Sequence, residues 1–363
     1  MTQLNALLRE PAEIQYADDL AVLTQDTCSA PANWQMSPLS VQKFILGDST
    51  LGIKQKWFGP TSLVQNAITT LASRRGLMLV GSPGTGKSWL SELLAAAICG
   101  NSERTIQGTA GTSEDQIKYN WNIAMVIANG QSEQSLIPSP VLTAMHEGSI
   151  ARFEELTRTT SDVQDALISI LSEKELAIAE LNLVVRALQG FNIIATANDK
   201  DRGVNELSSA LMRRFNFLHI PVMQDARKEQ EIVLFRTEQM LRDHQISAQS
   251  LPPLMHLLLN TFEALRKTNA AVPEDQQLES SLSTAEVIGS VEQAILSSSF
   301  FGNGTITPTS LASATVSTLL RKTPGDVSFM NKFWNSSISS LAASQGGRWS
   351  EFFQGGETVL KQF

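Results

Sequence analysis

Apolar residues recur along this chain in two rhythms, and the switches between them outline an architecture. Between Thr61 and Arg75 the apolar positions Leu63, Val64, Ala67, Ile68 and Leu71 fall at helical spacing, with Pro60 and Thr61 as a start signal. Leu77 to Val80 is then an unbroken apolar run of strand length, and Trp89 to Cys99 returns to a helix. Further strands are predicted at Arg104–Gln107, Ser149–Glu155 and Phe191–Ala197, the last apolar throughout, as burial on both faces requires. Phe217–Ile220 closes a set of five. Helices are predicted between them at Val141–Glu147, opened by Pro138-Ser139-Pro140, and over Ser161–Leu171 and Leu207–Met212, while Glu175–Leu188 alternates as a β-hairpin does. Strands alternating with helices predict an α/β fold with a parallel five-stranded sheet covered on both faces.

From Asp225 onward the strand rhythm stops. Asp225–Arg242, Leu251–Lys267, Thr284–Ser299 and Thr309–Leu320 all read as helices, which predicts an all-α lid domain after the sheet. The expected organisation is an N-terminal arm over 1–40, interrupted by Pro11, Pro31 and Pro38, an α/β domain over 41–223, the lid over 224–335 and a tail over 336–363. That tail is rich in Ser and Gly and carries the aromatics Trp349, Phe352, Phe353 and Phe363.

Composition narrows the function classes. With 363 residues, 42% hydrophobic and 18% charged, the chain is globular material for two domains. A net charge of -8 disfavours the broad basic footprint of a nucleic-acid binder, so nucleic acid is not expected as a direct ligand. Cys28 and Cys99 imply no disulfide framework, and His146, His219, His244 and His256 fall on different elements without metal-ligand spacing. Met1 to Ile14 lacks a secretory pattern and no window approaches 18 apolar residues, so a cytoplasmic protein without a membrane span is expected.

The chemistry centres on Gly81-Ser82-Pro83-Gly84-Thr85-Gly86-Lys87-Ser88, which fits G-x-x-x-x-G-K-[ST] between a predicted strand and a predicted helix. Glycines at 81, 84 and 86 let successive N–H groups turn into one concavity, and the helix starting by Trp89 points its positive end at the anion held there. Lys87 would reach the β- and γ-phosphates and the Ser88 hydroxyl would ligate Mg²⁺. A Gly-rich turn that binds nothing is the plain alternative. Glu154-Glu155 ends the strand beside the loop, where Glu154 suits the metal, through water, and Glu155 suits the base that polarises the attacking water. Asn198, at the end of the next strand, would orient that water. Arg213-Arg214 precedes Phe215 in a position hard to explain as core, and suits charge neutralisation in a neighbour's site. A solvated acidic strand end and a surface ion pair are the plain readings of the two pairs. Ile53, Trp57 and Phe58 fit either an adenine ring or ordinary core packing.

Taken together these residues resemble an AAA+ ATPase over about residues 40 to 325. The insert before Val141 and the hairpin at Glu175–Leu188 resemble the helix-2-insert clade, in particular MoxR-like ATPases and the related CbbQ, NorQ and GvpN groups. The stretches that suggest this are Ile106-Gln107-Gly108-Thr109, Glu154-Glu155-Leu156-Thr157-Arg158 and Ala166-Leu167-Ile168-Ser169-Ile170-Leu171. Ala197 to Arg202 is also similar to a sensor segment of McrB-type restriction motors. The resemblance implies Lys87 and Ser88 as Walker A residues, Glu154 and Glu155 as Walker B, Asn198 as sensor 1 and Arg214 as arginine finger with Arg213 as runner-up. It implies ATP and Mg²⁺ as cofactors, a homo-oligomeric, hexameric ring, and a protein client such as one bearing a von Willebrand factor A domain. Two departures from the pattern stand out: Glu154 where Asp is usual, with Arg152 in the same strand, and Ser283-Thr284-Ala285-Glu286 where a sensor-2 arginine is usual. Both imply weakened hydrolysis or looser lid coupling, which makes a nucleotide-gated scaffold an alternative, and the run Asn198 to Arg202 makes a McrB-like nucleic-acid motor another.

Overall fold

The computed structural model describes residues 9–26, 28–198, 205–223, 225–243, 251–273, 276–278, 280, 282–320 and 323–363. The chain forms two compact units, Met1–Ser82 with Gly86–Pro221, and Val222–Phe363, with which Pro83–Thr85 is grouped.

The first unit is built on strands β1 (Gly76–Gly81), β2 (Thr105–Gln107), β3 (Tyr119–Trp121), β4 (Leu136–Pro138), β5 (Ile150–Glu154), β6 (Glu175–Ile178), β7 (Leu183–Arg186), β8 (Asn192–Asn198) and β9 (Phe215–His219). Five of them make a sheet in the order β2-β5-β8-β1-β9, and every pairing in it is parallel. Strand β8 lies between β1 and β5, so the end of the phosphate-loop strand and the end of the acidic strand are one strand apart. Leu77, Met78, Leu79, Ile193, Ile194 and Ala195 are fully buried, which explains why β1 and β8 are apolar without alternation. The pairs β3–β4 and β6–β7 are separate antiparallel hairpins. Between β3 and β4 the helix Ile123–Asn129 buries no residue, and Ile123 and Ile127 are 72% and 81% exposed.

Residues expected to form a separate N-terminal arm instead join this unit's core. Ala12, Leu20, Leu23 and Trp34 are buried in one cluster with Phe44, Val64 and Leu94. Pro11 and Pro38 start helices, Ala12–Gln15 and Pro38–Leu46, and Ala17–Leu23 forms a further short helix between them, so the segment is not left open. Lys56 fastens it: its Nζ pairs with Asp19 at 2.7 Å, donates to the Phe44 carbonyl at 3.1 Å and lies over the Tyr16 and Phe44 rings. Burial pushes the Lys56 ammonium down in pKa and Asp19 works against that shift.

The second unit is helical, with helices Ala226–Asp243, Met255–Ala270, Thr284–Phe301 and Pro308–Leu319 followed by Pro324–Phe333, Ser339–Gln345 and Arg348–Leu360. The Ser/Gly-rich stretch read as a tail is therefore mostly helix. Trp349, Phe352 and Leu360 are buried in the core of this unit, and the Trp334 and Phe352 rings stack at 5.6 Å. Gly355 permits a close helix crossing, because a Cβ there would stand 2.5 Å from the Thr309 carbonyl oxygen. At Gly356 a Cβ would strike the Trp334 indole. Glycine here serves packing, at a cost in helix propensity of about 1 kcal/mol each.

Candidate functional site

The loop between β1 and the helix Lys87–Cys99 carries Gly84 at φ 74° and Gly86 at φ 82°, both in the left-handed region. Gly86 is the residue from which the helix starts, so the first free N–H groups of a helix of 13 residues face the loop. Lys87 is buried, and its ammonium donates to the carbonyls of Gly81 and Ser82, each at 2.9 Å. That folds the lysine back over the concavity of its own loop. The Trp89 indole is engaged elsewhere: its N–H donates to the Lys56 carbonyl at 2.9 Å and its ring meets Tyr16 edge-on. Trp57 is buried in the core at 5% exposure, as Ile53 is, so the packing reading describes their side chains.

Glu154 sits at the end of β5 at 5% exposure, and its carboxylate is saturated. Oε2 accepts from the Ser88 hydroxyl at 2.6 Å and from the Thr196 hydroxyl at 2.8 Å. Oε1 accepts from the Ser91 hydroxyl at 2.8 Å and from Arg152 Nη2 at 2.8 Å. A carboxylate has about four lone-pair positions, so every one is filled. The proton directions agree throughout. Ser91 accepts from Arg152 Nε at 2.6 Å while donating to Glu154, and Thr196 accepts the Glu155 N–H at 2.9 Å while donating to Glu154. Because Ser88 donates its proton to the carboxylate, its lone pairs are left for a cation. A hydroxyl is a hard oxygen donor of the kind Mg²⁺ takes, and Glu154, with its own positions filled, would reach that ion through water, so this donor set fits it.

Glu155 stands in the left-handed region at φ 55°, strained for a residue with a side chain, and its carboxylate pairs with Arg158 at 2.8 Å. The turn at Glu155 carries the chain off the sheet while Glu154 still points at Ser88. Asn198 is the last residue of β8 and is the register partner of Gly81 on β1. Asn198 is thereby placed beside the start of the phosphate loop. The segment Asp199 to Arg202, which carries the similarity to restriction motors, lies outside the described residues, as does His244.

The arginine pair is not part of this constellation. Phe215 is paired with Gly76 at the opposite end of β1, and the Gly76 N–H donates to the Arg214 carbonyl at 2.9 Å. A strand of six residues separates the pair from the loop, about 17 Å at the usual rise. Arg214 Nε donates to the Ser172 hydroxyl at 2.7 Å and Nη1 to the Ala210 carbonyl at 2.6 Å, while Arg213 is exposed.

Four residues of the site carry no sequence motif. Ser91 lies one turn beyond Ser88 on the same helix face, and Thr196 lies two residues before Asn198 on the same strand face, so both periodicities pointed at them. Arg152 shares the β5 face of Glu154 for the same reason. Gly108 is the fourth: its N–H donates to the Glu154 carbonyl at 2.7 Å, and a Cβ on it would stand 2.4 Å from the Glu155 carbonyl oxygen. Gly108→Ala is therefore expected to push the Glu154-Glu155 backbone aside. Nucleotide-dependent activity should fall about tenfold or more, since a misplacement of about 1 Å is enough for such a loss. Steady-state kinetics check this, with unchanged far-UV circular dichroism as the control.

The sequence model described as "AAA domain (dynein-related subfamily)" matches residues 76–215, the span from β1 to the start of β9. Over 356 residues the chain is 39% identical to the uncharacterized protein YehL of Escherichia coli (strain K12), covering 97% of this chain and 98% of that one. An uncharacterized protein of Staphylococcus aureus (strain USA300) is 24% identical over 165 residues, 44% of this chain and 62% of its own length. A crystal structure of NtrX from Brucella abortus aligns at a TM-score of 0.49 and 15% identity, covering 84% of this chain and 68% of that one. With 39% identity over nearly the whole of both chains, the chain belongs to the family of YehL, and its residues 76–215 match an AAA domain.

Proposed function

We propose that this protein is a MoxR-like ATPase that hydrolyses ATP in a homo-oligomeric, hexameric ring to remodel, mature or assemble a partner protein. The observation that carries the reading is the saturated Ser88–Glu154 pair beneath the phosphate loop, with Asn198 beside Gly81. In this reading Gly81 to Ser88 and the Trp89 N–H cradle the phosphates, and Lys87 leaves its two loop carbonyls for the β- and γ-phosphates. Ser88 directly, and Glu154 through water, would hold Mg²⁺, which supplies charge neutralisation on the phosphates. Glu155 takes the proton of the attacking water once Arg158 releases it, and Asn198 orients that water.

Placement of Arg213 and Arg214 at the far end of β1 supports a ring, because neither reaches the site of its own chain by the strand geometry. Arg214 is the finger in this reading, held in place by Ser172 and Ala210, with Arg213 second. A protein client, of the von Willebrand factor A class or another, is supported by the helix Ile123–Asn129, whose isoleucines face solvent on a separate hairpin. No helix among the described residues is long and apolar enough to cross a membrane. A nucleotide-gated scaffold that hydrolyses little is the second reading, favoured by Arg152 on Glu154 and Arg158 on Glu155.

Specific activity across a protein concentration series tests the ring. It is expected to rise with concentration in the parent. In Arg214→Ala it should fall on the order of 10³-fold at every concentration. Activity independent of concentration, with Arg213→Ala and Arg214→Ala both at the parent level, would sink the ring reading.

A further inference from the structure

Arg152 is a charged residue on a central strand, and its side chain is 9% exposed beside a Glu154 side chain at 6%. Its guanidinium is fixed at four points: Nε on the Ser91 hydroxyl at 2.6 Å, Nη1 on the Ser102 carbonyl at 2.8 Å, and Nη2 on the Ser88 carbonyl at 3.1 Å and on Glu154 Oε1 at 2.8 Å. One cation thus bridges the phosphate-loop helix, the end of that helix and the acidic strand. It holds the oxygen of Glu154 that faces away from Ser88, and leaves Oε2 toward Ser88.

We infer that Arg152 is a built-in counter-charge for Glu154, a positioning residue that makes nucleotide binding at this site only weakly dependent on Mg²⁺. The inference rests on the nucleotide reading above and deepens it. A buried carboxylate without a partner strongly attracts a cation, because low dielectric strengthens the attraction and water screens it little. Here that attraction is already met by Arg152 at hydrogen-bond distance. A divalent ion arriving near Ser88 gains less from Glu154 and meets the repulsion of a guanidinium that cannot lose its charge. The metal is then held chiefly by the nucleotide that brings it.

The planar fork explains why arginine, not lysine, stands here. Four acceptors in three directions match guanidinium donors, whereas an ammonium has three donors from one point. Arg152→Lys keeps the charge and loses some of the fixing bonds. Arg152→Gln removes the charge and keeps polar reach. The two variants separate counter-charge from scaffold.

The test is the affinity of the full chain for a fluorescent ATP analogue in EDTA and in millimolar Mg²⁺, read as the ratio of the two dissociation constants. For the parent the ratio should stay below about tenfold, in Arg152→Lys it should match the parent, and in Arg152→Gln it should rise at least about fivefold above it. Mg²⁺ alone should also raise the melting temperature of Arg152→Gln and not of the parent. A parent ratio above tenfold overturns the inference even if Arg152→Gln does not fold. An unchanged or lower ratio in a folded Arg152→Gln overturns it as well, and marks Arg152 as scaffold. A parent that binds no analogue in either buffer overturns the nucleotide reading itself, which the other two failures leave standing.

Discussion

Lys87→Ala should weaken ATP binding by about 100-fold while leaving the fold intact, since each charge-assisted hydrogen bond to phosphate is worth about 1.5–3 kcal/mol. The side chain is buried, and its ammonium donates to carbonyls of its own loop, at Gly81 and Ser82. Those carbonyls can turn to water when the lysine is removed, so the structural loss is small. The functional loss is not. Lys87 is the one cation on the phosphate loop itself, and without it the backbone N–H groups and helix N-terminus must hold two or three phosphates alone. Isothermal titration calorimetry with ATP, paired with the melting temperature of each protein, separates the two effects. A variant that still binds within threefold of the parent would remove the phosphate reading of this loop.

Glu154→Ala should act the other way, on stability first. It strands Arg152 in the interior and takes the acceptor from the hydroxyls of Ser88, Ser91 and Thr196. Breaking a buried ion pair from one side costs about 3–5 kcal/mol, because the remaining charge is left unpaired out of water. Glu154→Gln keeps an acceptor for the hydroxyls and should cost less. The double variant Arg152→Met/Glu154→Leu should recover much of the loss, since a well-packed apolar pair often replaces a buried ion pair without penalty. Urea titrations of the parent, Arg152→Met, Glu154→Leu and the double variant form a double-mutant cycle. An Arg152–Glu154 coupling near zero would mean that the pair is solvated in solution and that Glu154 is not held as described.

Much of this site was legible in the sequence because it is built from local repeats. The loop Gly81–Ser88 announces itself by spacing, and Glu154 and Asn198 by ending apolar runs that could only be central strands. The network around Glu154 was not legible, because it joins β5, β8 and the helix that follows β1, and the sheet order β5-β8-β1 is not the order of the chain. Arg152 stood out in the sequence as an oddity in an apolar strand, but its partner could be named only once β5 lay against the phosphate-loop helix. Gly108 stood in a stretch that carried the family resemblance, but its role was not legible, since a glycine after a strand reads as an ordinary turn until the Glu154-Glu155 backbone is seen to press on it. The two ends of the chain misled for a related reason. Prolines and glycines there suggested open segments, whereas Pro11 and Pro38 start helices and Gly355 and Gly356 admit close packing against Thr309 and Trp334. Composition marks where a chain may turn; it does not say what the turn packs against.

In the proposed reading the phosphate loop and the two acidic residues at the end of β5 form one hydrolytic site. Steady-state ATP turnover in Mg²⁺, compared between the parent, Lys87→Ala and Glu155→Gln, with ATP binding measured on all three, tests it most directly. The account predicts turnover in the parent, loss of both binding and turnover in Lys87→Ala, and loss of turnover with binding retained in Glu155→Gln. A parent that binds ATP but turns it over no faster than Glu155→Gln would contradict it.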